Sequence, residues 1–117
     1  MGLIYQASIF TQILFILIGA ISAYFLGCFN GAVIVSKYIL RDDIRTHGSG
    51  NAGLTNFYRV FGGPLTLVVI LTDVLKAVVA TLIGGYLATW IGFTADQGVV
   101  FAGVFCMLGH VFPCMFG

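Results

Sequence analysis

From residue 9 to residue 29 no charged side chain interrupts an apolar run. At about 1.5 Å per residue a helix of that length crosses a hydrocarbon core of about 30 Å, so the pattern predicts a first membrane span. Across residues 31–40 the positions Val33, Ile34 and Tyr38, with Ser36 and Lys37 between them, suit helical structure that continues into the interface, Lys37 reaching toward water. The pattern then breaks. The stretch RDDIRTHGSGNAGLTNFYR holds three of the five Lys and Arg residues, two of the four acidic ones, one His and three glycines, and reads as a loop over about 41–60. Gly62, Gly63 and Pro64 follow as punctuation, the proline well placed to start a helix. Residues 65–90 form a second apolar run interrupted by Asp73 and Lys76, residues 92–96 a short turn, and residues 97–112 a third apolar helix ending near Pro113. The expected fold is all-α: about three transmembrane spans forming part of a larger polytopic helix bundle. The pattern stops at Gly117 without the polar flank that normally closes a span, as expected of the N-terminal part of a single transmembrane domain truncated after that residue.

Composition supports the bilayer. Sixty per cent of the residues are hydrophobic and 8% charged, against roughly 25% charged in an average soluble domain, so the chain cannot coat a water-facing surface. The net charge of +1 lacks the clustered Lys and Arg excess that nucleic acid would require. Lys37, Arg41, Arg45 and Arg59 all fall between the first two spans, whereas Asp96 is the only charge in the next connection. The positive-inside bias therefore puts the loop in the cytoplasm and the N-terminus outside, in a multi-pass inner-membrane protein. Three antiparallel crossings would return the end of the third span, with His110, to the loop's face. The N-terminus has no basic region or cleavage site of a signal peptide and no myristoylation signal. Cys28, Cys106 and Cys114 have no CxxC spacing and sit in or beside apolar runs, so no disulfide framework is inferred.

Gly48, Ser49, Gly50, Asn51, Ala52, Gly53, Leu54 and Thr55 satisfy GxGxxG and nearly the Walker pattern, with Leu54 where its lysine should be. A dinucleotide fold needs a strand before the glycines and a parallel sheet, for which the spans leave no sequence. The underlying chemistry survives. Glycines let successive backbone N–H groups face an anion, and a helix starting near Thr55 would add its positive end. Gly48, Gly50 and Gly53 supply the backbone, Ser49, Asn51, Thr55 and Asn56 neutral donors, and Arg45 and Arg59 guanidinium groups matched to phosphate. The same residue types suit a plain connecting loop, with glycine for turns and asparagine for caps. His47, beside the glycines, is expected only to tune the loop. Asp73 and Lys76, at i and i+3, can pair and so keep two ionisable groups within a span, or Lys76 can hold a substrate phosphate while Asp73 supports it. His110 can orient loop or substrate, act as a base, or simply cap its helix. Cys106, His110 and Cys114 recur every four residues, but Pro113 disturbs that helix and no fourth ligand is in sight, so no metal is expected.

The run DIRTHGSGNAGLTNFYRVFGG, then DVLK at residues 73–76 and GHVFP at 109–113, resembles the bacterial acyl-phosphate:glycerol-3-phosphate acyltransferases, polytopic enzymes of the inner membrane. The resemblance extends from about Tyr24 to the end. It implies transfer of a fatty acyl group from acyl phosphate to the 1-hydroxyl of glycerol 3-phosphate, giving lysophosphatidic acid for phospholipid synthesis. The implied partners are those two substrates, membrane lipid and an enzyme that produces the acyl phosphate; no cofactor is implied. The family's serine and arginine in its first motif map onto Ser49 and Arg59, and the resemblance favours the phosphate-holding role for Lys76. With His110 these complete the expected catalytic set of Ser49, Arg59 and His110. The donor is already activated, so placement of the hydroxyl and stabilisation of developing charge suffice without a covalent acyl-enzyme. The HxxxxD box of the other large glycerolipid acyltransferase class is absent: Ala52 stands five residues after His47, and Met115 five after His110. Two departures stand out. Where the family often reads Gly-Ser-x-Pro, this chain has Gly27, Cys28, Phe29 and Asn30; and the family's later Gly-Gly-Lys-Gly motif and a further His and Asn would lie beyond Gly117, so the chain is expected to be inactive alone. The rival expectation is a small membrane transport or scaffold protein whose loop binds phosphate or anionic lipid heads without chemistry.

Overall fold

The computed structural model describes residues 8–113, and every regular element among them is helical. In chain order these are α1 (Ile9–Cys28), α2 (Gly31–Ile34) running on into a π-helical turn at Val35–Ile39, a 3-10 turn at Ile44–Thr46, α3 (Leu54–Val60), α4 (Leu65–Trp90) and α5 (Ala95–Val111). Two helices, α1 with 20 residues and α4 with 26, are long and apolar enough to cross a membrane. Only 17% and 22% of their most apolar windows are buried within the protein. A core helix of a water-soluble protein would be mostly covered; these helices present Phe10, Leu17, Leu67 and Leu82 outward, as lipid-facing helices do. The third apolar helix, α5, has 17 residues.

Element ends follow local chemistry. α5 starts two residues before the expected Gln97 because Thr94 forms a capping box with it: the Thr94 hydroxyl accepts from Gln97 N, and the Gln97 side chain accepts from Thr94 N. The apolar pattern marks where the buried face begins, but the cap decides where the helix begins. α1 stops at Cys28, and the continuation expected toward Leu40 is a separate helix, because Asn30 is extended and caps α2. That segment ends with Arg41 in the left-handed region at φ 57°, while Asp42 N bonds back to Ser36 O at 2.8 Å.

The described residues form two compact units, Phe29–Leu75 and a second made of α1 with the chain from Lys76 onward. The second unit has a core of small side chains, Ala23, Ala80, Ala102 and Cys106, with Leu26 and Phe105 packed on it. Its helices meet at backbone distance. A Cβ on Gly27 would overlap the Cys106 carbonyl, one on Gly109 the Tyr24 carbonyl, and one on Gly98 the Gly84 carbonyl. Such small-residue contacts are how apolar helices associate where lipid removes the hydrophobic driving force. Tyr24 donates across the helix pair to Phe112 O at 2.7 Å, and Gln12 to Ile91 O at 3.1 Å. In the Phe29–Leu75 unit, Val33, Val35, Ile44, Phe57 and Val69 are buried together with three polar side chains, Asn30, Ser36 and Asn56.

Candidate functional site

Those three buried polar residues account for the conformation of the glycine loop. Ser36 Oγ accepts from Ile44 N at 2.9 Å, tying the start of the loop to the π-helical turn. Asn30 Oδ1 accepts from Val33 N at 3.1 Å and its amide donates to Ala52 O at 2.7 Å. Asn56, 2% exposed, accepts from Ser49 N at 3.3 Å and donates to His47 O at 3.1 Å and to Asn51 O at 3.0 Å. Gly48 must be glycine here: its φ is 54°, and a Cβ would collide with Asn56 Oδ1.

Three loop carbonyls, those of His47, Asn51 and Ala52, are thus turned toward buried side-chain amides. In a trans peptide the C=O and the following N–H point in opposite directions. The N–H groups of Gly48, Ala52 and Gly53 are therefore aimed away from those amides, and none of them donates to another described residue. Gly53 is also the N-cap of α3 and has no side chain to satisfy its first amides. Ala52 and Gly53 thus offer two successive backbone donors, the element from which anion-binding nests are built, and Gly48 offers a third on the same loop.

The side chains expected at this site divide by exposure. Ser49, Asn51, Thr55 and Arg59 are exposed, as are Gly48 and Gly50, while Gly53 is half-buried. Among the described residues nothing pairs with the Arg59 guanidinium. Asn56, by contrast, commits its amide to the loop backbone. Arg45 grips Asp43 in a two-pronged pair, Nε to Oδ1 at 3.1 Å and Nη2 to Oδ2 at 2.8 Å, and its own backbone N donates to the same carboxylate at 2.9 Å. Hydrogen bonding from Arg45 holds the Asp43 carboxyl below its ordinary range, against an opposing effect of burial, and Asp43 in turn raises Arg45. His47 Nε2 lies 2.6 Å from Asp42 Oδ1, with its ring edge-on to Phe61. Asp73 Oδ1 accepts from Gly31 N at 3.2 Å, at the first turn of α2.

In the other unit Lys76 is 8% exposed. Its Nζ donates to Gly27 O at 3.1 Å and lies 2.6 Å from His110 Nδ1. A cavity of about 330 Å³ lies in the same unit, lined by Phe15, Ile16, Ala88, Ile91 and Phe101. Cys28 and Cys106 are both buried. Cys114 lies outside the described residues, among which no cluster of three or more metal-capable side chains occurs.

Asn30 and Ser36 do not stand among the site residues expected from the sequence. Asn30 carried a legible signal, an asparagine directly before an apolar helical stretch, which is an N-cap pattern. Nothing in the sequence signals that its other arm reaches Ala52.

A family model described as glycerol-3-phosphate acyltransferase matches residues 16–117. Among curated relatives, the glycerol-3-phosphate acyltransferase of Thermoanaerobacter pseudethanolicus is 46% identical over 94 residues, which is 80% of this chain and 44% of that protein. The same-named protein of Coxiella burnetii is 43% identical over 102 residues, 86% of this chain and 49% of its own. That of Finegoldia magna is 34% identical over 105 residues, 88% and 49%. The chain spans about half the length of the curated relatives it matches. No solved structure matches it. Because the family model takes in the glycine loop, α4 and α5 alike, the chain belongs to the glycerol-3-phosphate acyltransferase family.

Proposed function

We propose that the chain carries the glycerol-3-phosphate-binding part of an inner-membrane enzyme that transfers a fatty acyl group from acyl phosphate to the 1-hydroxyl of glycerol 3-phosphate. The hydroxyl oxygen attacks the acyl carbonyl carbon, the bond from that carbon to the phosphate oxygen breaks, the hydroxyl proton ends on the departing phosphate, and lysophosphatidic acid and inorganic phosphate result. The observation that carries this reading is the loop whose carbonyls are bound from behind, leaving the Gly48, Ala52 and Gly53 amides, with Ser49, Thr55 and Arg59, to receive a phosphate. A dianionic phosphate suits such a set: the amides supply fixed dipoles, the hydroxyls adapt, and Arg59 supplies a planar fork for two oxygens. Asn56 and Arg45 support the loop from behind, and Asp73 secures the start of α2 beside it.

Lys76 is retained as a partner for phosphate charge. His110, whose Nδ1 lies 2.6 Å from Lys76 Nζ, stays in the proposed catalytic set with Ser49 and Arg59, orienting the substrate or accepting a proton. The acyl chain would run along the apolar unit toward the cavity at Ala88, about 18 Å along α4 from Lys76. In this reading α5, at the short end of the spanning range, is a third crossing, the loop faces the cytoplasm and the N-terminus lies outside.

The test is lysophosphatidic acid formation from acyl phosphate and glycerol 3-phosphate in detergent. It would be run on the chain itself and on a chimera in which it replaces the matching half of the Thermoanaerobacter relative. Activity of the chimera, lost in Arg59→Ala and Ser49→Ala, is expected. A folded chimera that binds glycerol 3-phosphate and yields no product would favour a binding protein without chemistry.

A further inference from the structure

We infer that Asn30 is a positioning residue for the phosphate-binding loop, setting the direction of the Gly53 amide through its hydrogen bond to the Ala52 carbonyl. This rests on the reading of the loop just given. Asn30 is 1% exposed and divides its side chain between two jobs: Oδ1 caps α2 at Val33 N, and the amide reaches Ala52 O at 2.7 Å. Capping alone does not call for asparagine, since serine and aspartate cap about equally well. Only asparagine among the favoured capping residues also carries a donor on the other arm of its side chain. That donor falls on the peptide joining Ala52 to Gly53. Peptide planarity then sends Gly53 N–H the opposite way, at the N-cap of α3.

The same residue stands where the family resemblance leads one to expect proline. Proline could break the helix there but has no donor for Ala52. Asp73 secures the neighbouring peptide by accepting from Gly31 N, so the residue that holds Ala52 is itself held on its following side. The bond is buried at Asn30 and short, which favours one loop geometry before any ligand arrives, and preorganised donors are those that bind without a reordering cost.

The experiment separates the two arms of the side chain. Asn30→Ser keeps a capping oxygen and is too short to reach Ala52; Asn30→Thr, a second capping residue, guards against a packing fault in the serine variant. Amide hydrogen exchange of the chain in detergent should show residues 49–53 exchanging about 5- to 10-fold faster in both variants, with α4 and α5 unchanged. In the chimera, KM for glycerol 3-phosphate should rise by about the same factor while kcat stays within about twofold. A merely structural lesion would instead lower the active fraction, and so kcat, leaving KM alone. Unchanged loop exchange in both variants, or a kcat loss at constant KM, overturns the assignment. If the unsubstituted chimera is silent, the proposed reaction fails by itself and the exchange measurement still decides the role of Asn30.

Discussion

Replacing Asn56 by alanine should loosen the loop by an amount that can be worked out from its contacts. Asn56 makes three hydrogen bonds to loop backbone, at 3.0 to 3.3 Å, from a side chain that is 2% exposed. One of its acceptors, His47 O, keeps a second donor in Gly50 N at 2.8 Å, whereas Ser49 N and Asn51 O lose the bond that Asn56 supplies. Because Gly48, Ser49 and Gly50 are exposed, water can replace what is lost, and each bond is counted at its net value of about 0.5–1.5 kcal/mol rather than at the full cost of an unsatisfied group. Three such bonds come to about 1.5–4.5 kcal/mol of loop ordering, or roughly a 10- to 2,000-fold faster exchange of the Ser49, Gly50 and Asn51 amides. Asn56→Asp supplies the control. It preserves volume and the acceptor for Ser49 N, but sets an oxygen against two carbonyls. If packing were what matters, aspartate would behave like wild type. Exchange in Asn56→Ala within about threefold of wild type, or a harmless Asn56→Asp, would refute the account of the loop as a backbone held by buried amides.

Three further outcomes follow from other parts of the structure. Gly109→Ala would push a methyl group into the Tyr24 carbonyl, so it should weaken the packing of α5 on α1 by about 1–3 kcal/mol, read as a lower unfolding midpoint in detergent. Arg41 holds a left-handed conformation that glycine adopts without strain, so Arg41→Gly should raise that midpoint by the equivalent of about 1 kcal/mol; a lower midpoint would mean that the arginine side chain contributes more than its backbone strain costs. The Asp43 carboxyl has a folded pKa below its ordinary value of 3.8, so its contribution is fully present above that value and is lost as pH falls through the lower folded one. The stability difference between wild type and Asp43→Asn should accordingly be flat from pH 7 to about 4 and shrink below it, as followed by amide exchange at Arg45 and Thr46.

The helices were legible where length and apolarity decide. An uncharged run from residue 9 and an apolar one from residue 65, interrupted by Asp73 and Lys76, have few ways of satisfying their backbone in lipid other than as helices, and α1 and α4 begin at those residues. Legibility failed at ends set by single side chains. The hydroxyl of Thr94 brings the start of α5 forward to Ala95, and Asn30 splits the first long helical stretch in two, although no apolar periodicity changes at either place. Arg41 shows the same limit. A glycine at that position would have announced the left-handed turn that ends the segment, and an arginine does not.

The loop was legible as a place and not as a mechanism, and the reason is chemical. An anion site needs amides and hydroxyls twice over: one set to face the ligand, and another to hold the backbone that faces it. Both sets are drawn from Ser, Thr and Asn. Ser49 and Ser36, or Asn51 and Asn56, cannot be told apart by residue type, yet one of each pair is exposed and the other buried. Burial is what separates them, because a buried amide must spend its hydrogen bonds on the protein, whereas an exposed one can exchange water for a ligand. Asn56, with Asn30, turns loop carbonyls inward, and peptide planarity converts each inward carbonyl into an outward N–H. In this loop the buried amides of Asn30 and Asn56, which face away from the proposed phosphate, therefore set where its Gly48, Ala52 and Gly53 donors point.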